Sequence, residues 1–238
     1  MASEAQVFQD LGLNKAPRPM LDVHKNPLFI SILDAVDTLK TMEENGTIPA
    51  VYLQHAKGLI FMKTDKIGFG LSVTQGYGLV LARAANRPSG WSAPLPVKVD
   101  GFSVGAVMGF SEQHTIICLA TDEEISNFKL DKRAMKIGLE MALNLKDVVN
   151  RDLALDTQGT QTGVSGLKTK PFTISKGVMV DMSLKGTSVE PDMDDISNCY
   201  GTQVTPSDLL NGTVSPPREA TLLYNALKKA VDKAIATV

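Results

Sequence analysis

The sequence predicts an α+β domain: a curved or barrel-like antiparallel β-sheet braced by helices from its N- and C-terminal ends. Three observations predict it. Apolar residues recur at sustained helical spacing near the beginning and at the end of the chain. From Leu59 to Leu119 the pattern changes to short apolar runs interrupted by glycine at regular intervals. The spacing of those runs suits antiparallel pairing better than βαβ units.

Taken in order, residues 1–26 hold Pro17 and Pro19 without sustained periodicity and read as an extended N-terminal arm. Asn26 is a helix cap with Pro27 at the first helical position. Phe29, Ile32, Leu33, Val36 and Leu39 then mark a helix that stops at Asn45-Gly46. A short helix is expected from Pro49 to Ala56. Strands are expected at 59–62, 69–73, 79–83, 104–110 and 115–119. Gly76, Gly78, Gly101, Gly105 and Gly109 mark tight turns or places where backbones approach closely. A short helix over 122–128 precedes further strands at 134–145, 152–157, 172–182 and 185–190. Pro206–Leu210 reads as a helical turn. Residues 217–238 form a last helix whose apolar face holds Leu223, Ala226, Leu227, Ala230, Val231, Ala234 and Ile235. Residues 27–238 are thus expected to make one domain behind the arm.

The chain has 238 residues, 43% hydrophobic and 21% charged, enough for a sizeable core in a soluble globular protein. Its formal net charge of −2 gives no overall attraction to nucleic acid or to an anionic membrane, so any such attraction requires a local patch. Residues 1–10 include Glu4 and Asp10 and do not read as a secretory signal. No run approaches 18 apolar residues. Cys118 and Cys199 imply neither a disulfide framework nor a zinc site, and Cys118 sits in an apolar run. Asn45-Gly46-Thr47 and Asn211-Gly212-Thr213 match a glycosylation sequon, and are read as turns in a cytosolic chain.

Motifs that suggest catalysis fail on spacing. Gly101-Phe102-Ser103-Val104-Gly105 matches a nucleophile elbow, but the only later histidine is His114, too near to leave room for the intervening elements. Gly76-Tyr77-Gly78 lacks the third glycine of a dinucleotide fingerprint. Asp192, Asp194 and Asp195 lack the glycine and glutamate of a calcium loop and read as a solvated acidic loop. His24, His55 and His114 have no ligand spacing. The expectation is a chain that is not an enzyme, without cofactor or metal.

Ordered short motifs carry a family resemblance. They are Ile48-Pro49-Ala50, Ala56-Lys57-Gly58-Leu59, Gly68-Phe69-Gly70, Gly76-Tyr77-Gly78-Leu79-Val80-Leu81-Ala82-Arg83 and Trp91-Ser92-Ala93-Pro94. Ser175-Lys176-Gly177, Ser183-Leu184-Lys185-Gly186, Tyr200-Gly201 and Asp208-Leu209-Leu210 continue the series. Over residues 45–230 the chain resembles the SYLF domain, a lipid- and actin-binding module of peripheral membrane and cytoskeletal proteins. In that light Gly58, Gly68, Gly78, Gly177, Gly186 and Gly201 are structural. Trp91 is read as a large ring closing one end of the sheet, where Pro94 and Pro96 end regular pairing.

The charge pattern gives the site expectations. Lys57, Lys63, Lys66, Arg83, Arg87 and Lys98 fall between residues 51 and 99 against a single acid, Asp65. They form a candidate face for phosphoinositide headgroups, or they neutralise the acidic segment 186–213 across the fold. The last helix offers Lys228, Lys229 and Lys233 as further candidates. The first helix carries Asp34, Asp37, Glu43 and Glu44 against Lys40, a departure from SYLF proteins, whose N-terminal amphipathic segment is basic. Two functions stay open: a peripheral membrane module binding acidic phospholipid and filamentous actin, or a scaffold subunit that keeps the fold and docks into a protein assembly through residues 1–26.

Overall fold

A computed structural model of the chain describes residues 27–129, 135–137 and 167–235. Helix α1 (Pro27–Glu44) and the short α2 (Ala50–His55) lead into β1 (Gly58–Ala82) and β2 (Leu95–Leu119). Helix α3 (Asp122–Lys129), β3 (Met135–Ile137) and β4 (Lys170–Pro191) follow. The chain ends in α4 (Met193–Tyr200), α5 (Pro206–Leu210) and α6 (Ala220–Ile235). The Asn26 cap, the arm of residues 1–26 and the strand expected at 152–157 lie outside the described residues, as does most of the one expected at 134–145.

The sheet has four strands in the order β1-β2-β4-β3, every neighbouring pair antiparallel. No pairing joins β1 to β3 among the described residues, so the sheet is open. The strands expected at 59–62, 69–73 and 79–83 are one continuous strand of 25 residues. Likewise 104–110 and 115–119 belong to β2, and 172–182 and 185–190 to β4. The glycines at 76, 78, 101 and 105 do not end strands. A straight strand of this length would reach about 80 Å, and β1 instead folds back on itself. A Cβ on Gly78 would run into the Phe61 carbonyl oxygen, and one on Gly76 into that of Lys63. Only glycine lets the two halves of the strand approach so closely. Pairing with β2 shifts register between Phe69 and Leu71, at the bend.

The core lies at the ends of the strands, beneath the helices. On one face Leu59, Phe61, Leu79, Leu81, Ile116 and Cys118 pack with the stripes of α1 and α6. On the other, Ile60, Val80, Leu95, Val97, Ile117 and Leu119 pack with Ile125, Phe128, Ile196 and Leu209. In α1 the expected Ile32, Val36 and Leu39 are buried, joined by Leu28, Ala35 and Met42, while Phe29 and Leu33 are half-buried. In α6, Leu223, Leu227 and Ala230 are buried.

The segment read as a solvated acidic loop is instead the start of α4. The Asp192 carboxylate accepts hydrogen bonds from the amides of Asp194 and Asp195, capping two donors that the first helical turn leaves unpaired. Both sequon segments are turns, with Gly46 at φ 70° and Gly212 at φ 71°. The nucleophile-elbow match lies within β2.

Candidate functional site

Between α1 and the sheet, Lys63 of the basic segment finds two acids. Lys63 Nζ lies 3.9 Å from a carboxylate oxygen of Asp34 and 3.9 Å from one of Glu112. The Tyr77 hydroxyl donates to Asp34 at 2.6 Å. His114 bridges the same elements, with Nε2 2.9 Å from Glu112 and Nδ1 3.2 Å from the Thr38 hydroxyl oxygen. Lys176 adds an ion pair from β4 to Glu112 at 3.9 Å. The hydrogen bond with His114, then the charges of Lys63 and Lys176, hold the Glu112 carboxyl below its usual range. Burial, then the hydrogen bond to Asp34, pushes the Tyr77 phenol up. The adjoining cleft, lined by Ser31, Asp34, Thr38, Lys63 and Tyr77, has room for little more than a water molecule. The network ties α1 to three strands and leaves Lys63 largely neutralised.

Arg83 and Arg87 serve the fold. The Arg83 guanidinium donates to the carbonyls of Leu53, Gln54 and Ala56 at 2.9, 2.8 and 3.1 Å, closing the C-terminal end of α2 where carbonyls lack helical partners. It also stacks 3.9 Å over the ring of Trp91. Trp91 is buried in the core, and the residues after it anchor two helices. The Tyr224 hydroxyl of α6 donates to the Ser92 carbonyl, and that of Tyr200 in α4 to the Pro94 carbonyl, each at 2.7 Å. Arg87 Nε donates to the Gly212 carbonyl at 2.7 Å.

The remaining cations divide. Lys57 stands 4.0 Å from Asp122, and Lys233 pairs with Glu43 at 2.9 Å, joining α6 to α1. Lys66 is enclosed, only 5% exposed. Lys98, Lys228 and Lys229 are exposed and make no ion pair among the described residues. The candidates thus differ in their surroundings: Lys63, Arg83, Arg87 and Lys233 are engaged within the fold, Lys66 is enclosed, and Lys98, Lys228 and Lys229 are exposed. Among the structural glycines, Gly58 sits where a Cβ would meet Ile125 and the Leu81 carbonyl oxygen at 3.0 Å, and Gly201 ends α4 at φ 97°. Gly68 pairs with Gly109, Gly177 with Ser111 and Gly186 with Phe102 in the strand register.

No group of histidine, cysteine and acidic residues suited to a metal occurs among the described residues. No helix described is long and apolar enough to cross a membrane. Burial pushes the Cys118 thiol up to about 12, which keeps it an inert core group.

Sequence reasoning missed a different feature. Among the described residues, the middle stretches of β1 and β2 add no side chain to the two core clusters and expose large apolar ones, Phe69 at 84% and Ile67 at 64% among them. Its signal was present in the strict alternation of apolar residues from Ile67 to Val73 with glycine and serine.

Comparison with known proteins bears on these surfaces. A family model described as "Ysc84: Las17-binding protein actin regulator" matches residues 100–230. An SH3 domain-containing protein of Schizosaccharomyces pombe is 28% identical over 82% of this chain and 44% of its own length. The bovine SH3 domain-containing YSC84-like protein 1 is 28% identical over 78% of this chain and 52% of its own. LAS seventeen-binding protein 3 of Saccharomyces cerevisiae is 24% identical over 76% of this chain and 38% of its own. The chain thus spans about half or less of these curated relatives. No solved structure matches it.

Proposed function

Because the chain belongs to the Ysc84 (SYLF) family, we propose that it is a non-enzymatic adaptor module in actin regulation, working in the cytoplasm at the cytoskeleton and the membrane surface. The observation that carries this reading is the family match, which covers β2, β4 and the C-terminal helices. The names of the relatives supply the rest: one binds Las17, and others pair a YSC84-like region with an SH3 domain. We extend the reading to attachment to acidic phospholipids, phosphoinositides among them. Lys98, Lys228 and Lys229 are the cations best placed to meet headgroups, since Lys63, Arg83, Arg87 and Lys233 are engaged within the fold.

Co-sedimentation with filamentous actin, run beside flotation with phosphatidylcholine vesicles with and without phosphoinositide, tests both halves. Retention by actin and by the acidic vesicles supports the reading, and retention by neither rejects it. A second reading, a scaffold subunit docked into a protein assembly through residues 1–26, is favoured by the internal pairing of so many of the basic residues. It predicts that deleting residues 1–26 leaves the domain folded and removes a partner or self-association without changing vesicle flotation.

A further inference from the structure

The middle of the sheet is built inside out. Along β1, Ile67, Phe69, Leu71 and Val73 occupy alternate positions and are all at least half exposed, while Lys66 and Ser72 between and beside them are 5% and 1% exposed. Strand register extends the pattern across the sheet. Ile67 lies opposite Phe110, Phe69 opposite Met108 and Val73 opposite Phe102, and these three partners are 46%, 58% and 56% exposed. On the enclosed side Lys66 lies opposite Ser111, itself 5% exposed. No charged residue occurs from Ile67 to Ala82 or from Gly101 to Ser111.

A soluble sheet turns its apolar face inward; apolar-out with polar-in is the alternation of strands whose outer solvent is lipid. A protein-binding face likewise has an apolar centre within a polar rim; what sets this field apart is that its enclosed side, at Lys66, Ser72 and Ser111, is polar. Exposed Lys98 stands at one margin of the apolar field, where it complements phosphate, and Lys176, paired with Glu112 at 3.9 Å, stands at the other. We infer that this distal part of the sheet enters the hydrocarbon edge of a phospholipid bilayer, with Phe69, Met108, Phe102 and Phe110 as its apolar contacts. The inference rests on the phospholipid attachment proposed above and assigns it a site distinct from the basic residues.

The test uses the full chain and vesicles of phosphatidylcholine with phosphatidylserine. Phe69→Trp places an indole in the field, and lipids brominated on their acyl chains should quench it while leaving buried Trp91 unquenched. Phe69→Ser with Phe102→Ser should lower vesicle partitioning about tenfold or more, at 1 M salt as at 0.1 M, with an unchanged denaturant midpoint. Wild-type binding with an unquenched Phe69→Trp and full binding by the double variant overturns this inference alone. No wild-type binding to any vesicle overturns the phospholipid reading and this one together. A lipid-free dimer abolished by the double variant assigns the face to a second copy of the chain and also overturns it.

Discussion

Phe61 and Phe69 stand on one strand, eight positions apart by number, and differ completely in what surrounds them. Phe61 is 3% exposed, packed beneath the helices; Phe69 is 84% exposed. The basal part of the sheet buries apolar side chains on both faces and hangs α1, α3 and α6 on them. The distal part turns apolar residues outward and encloses serine and lysine. One continuous hydrogen-bonded ladder therefore serves two environments, and the period-2 geometry of a strand makes that possible by assigning each residue to a face. The stability of the domain is a property of the base. Attachment, on the reading above, is a property of the distal part.

The largest effects should come from the base. Phe61→Ala and Trp91→Ala should each cost about 3–5 kcal/mol in chemical denaturation, because each empties a packed site. A near-wild-type midpoint for either would show that the basal core is not the stabilising part. Gly78→Ala should cost about 1–3 kcal/mol, since the added methyl meets the Phe61 carbonyl at the fold-back. Unchanged stability there would mean that the two halves of β1 do not pack together. Asp192→Ala should cost about 1 kcal/mol through the lost cap of α4.

Acid should act on the network between α1 and the sheet. The Glu112 carboxyl titrates below its usual range in the folded protein, so its contribution is present above the unfolded carboxylate pKa of about 4.3 and is lost as pH falls through the folded value. Glu112→Gln should flatten the acid limb of the stability profile, and an unchanged limb would remove Glu112 as its source. The smallest effect should belong to Phe69→Ala, within about 0.5 kcal/mol of wild type. A cost matching that of Phe61→Ala would erase the distinction between the two parts of the sheet.

The elements with local signals were readable in the sequence. The helical spacing of α1 and α6, the Pro206–Leu210 turn and the short α3 all appear within a residue or a few of their expected places. The glycines of β1 were read as tight turns or close backbone approaches, and the second reading holds at Gly76 and Gly78, whose partners lie 13 and 17 positions away along the strand. Asp192 was weighed as a metal ligand, although the same carboxylate chemistry caps a helix. The basic residues of 51–99 are neighbours along the chain, which is all that the sequence shows of their surroundings. Asp34, Glu112 and the carbonyls of α2 reach them only through the fold. The apolar alternation over 67–73 was visible, but its inversion was not, since a strand's pattern does not say which face is enclosed.

The central claim, that one strand divides between protein core and bilayer, is tested most directly by a label scan along β1. Single cysteines from 66 to 73 would each carry a nitroxide in a Cys199→Ala background, with the enclosed, neutral Cys118 thiol left in place. Oxygen collision rates are read before and after adding phosphatidylcholine–phosphatidylserine vesicles. The rates should rise at 67, 69, 71 and 73 with little change at 66 and 72. A flat profile, or a rise confined to the even positions, would contradict it.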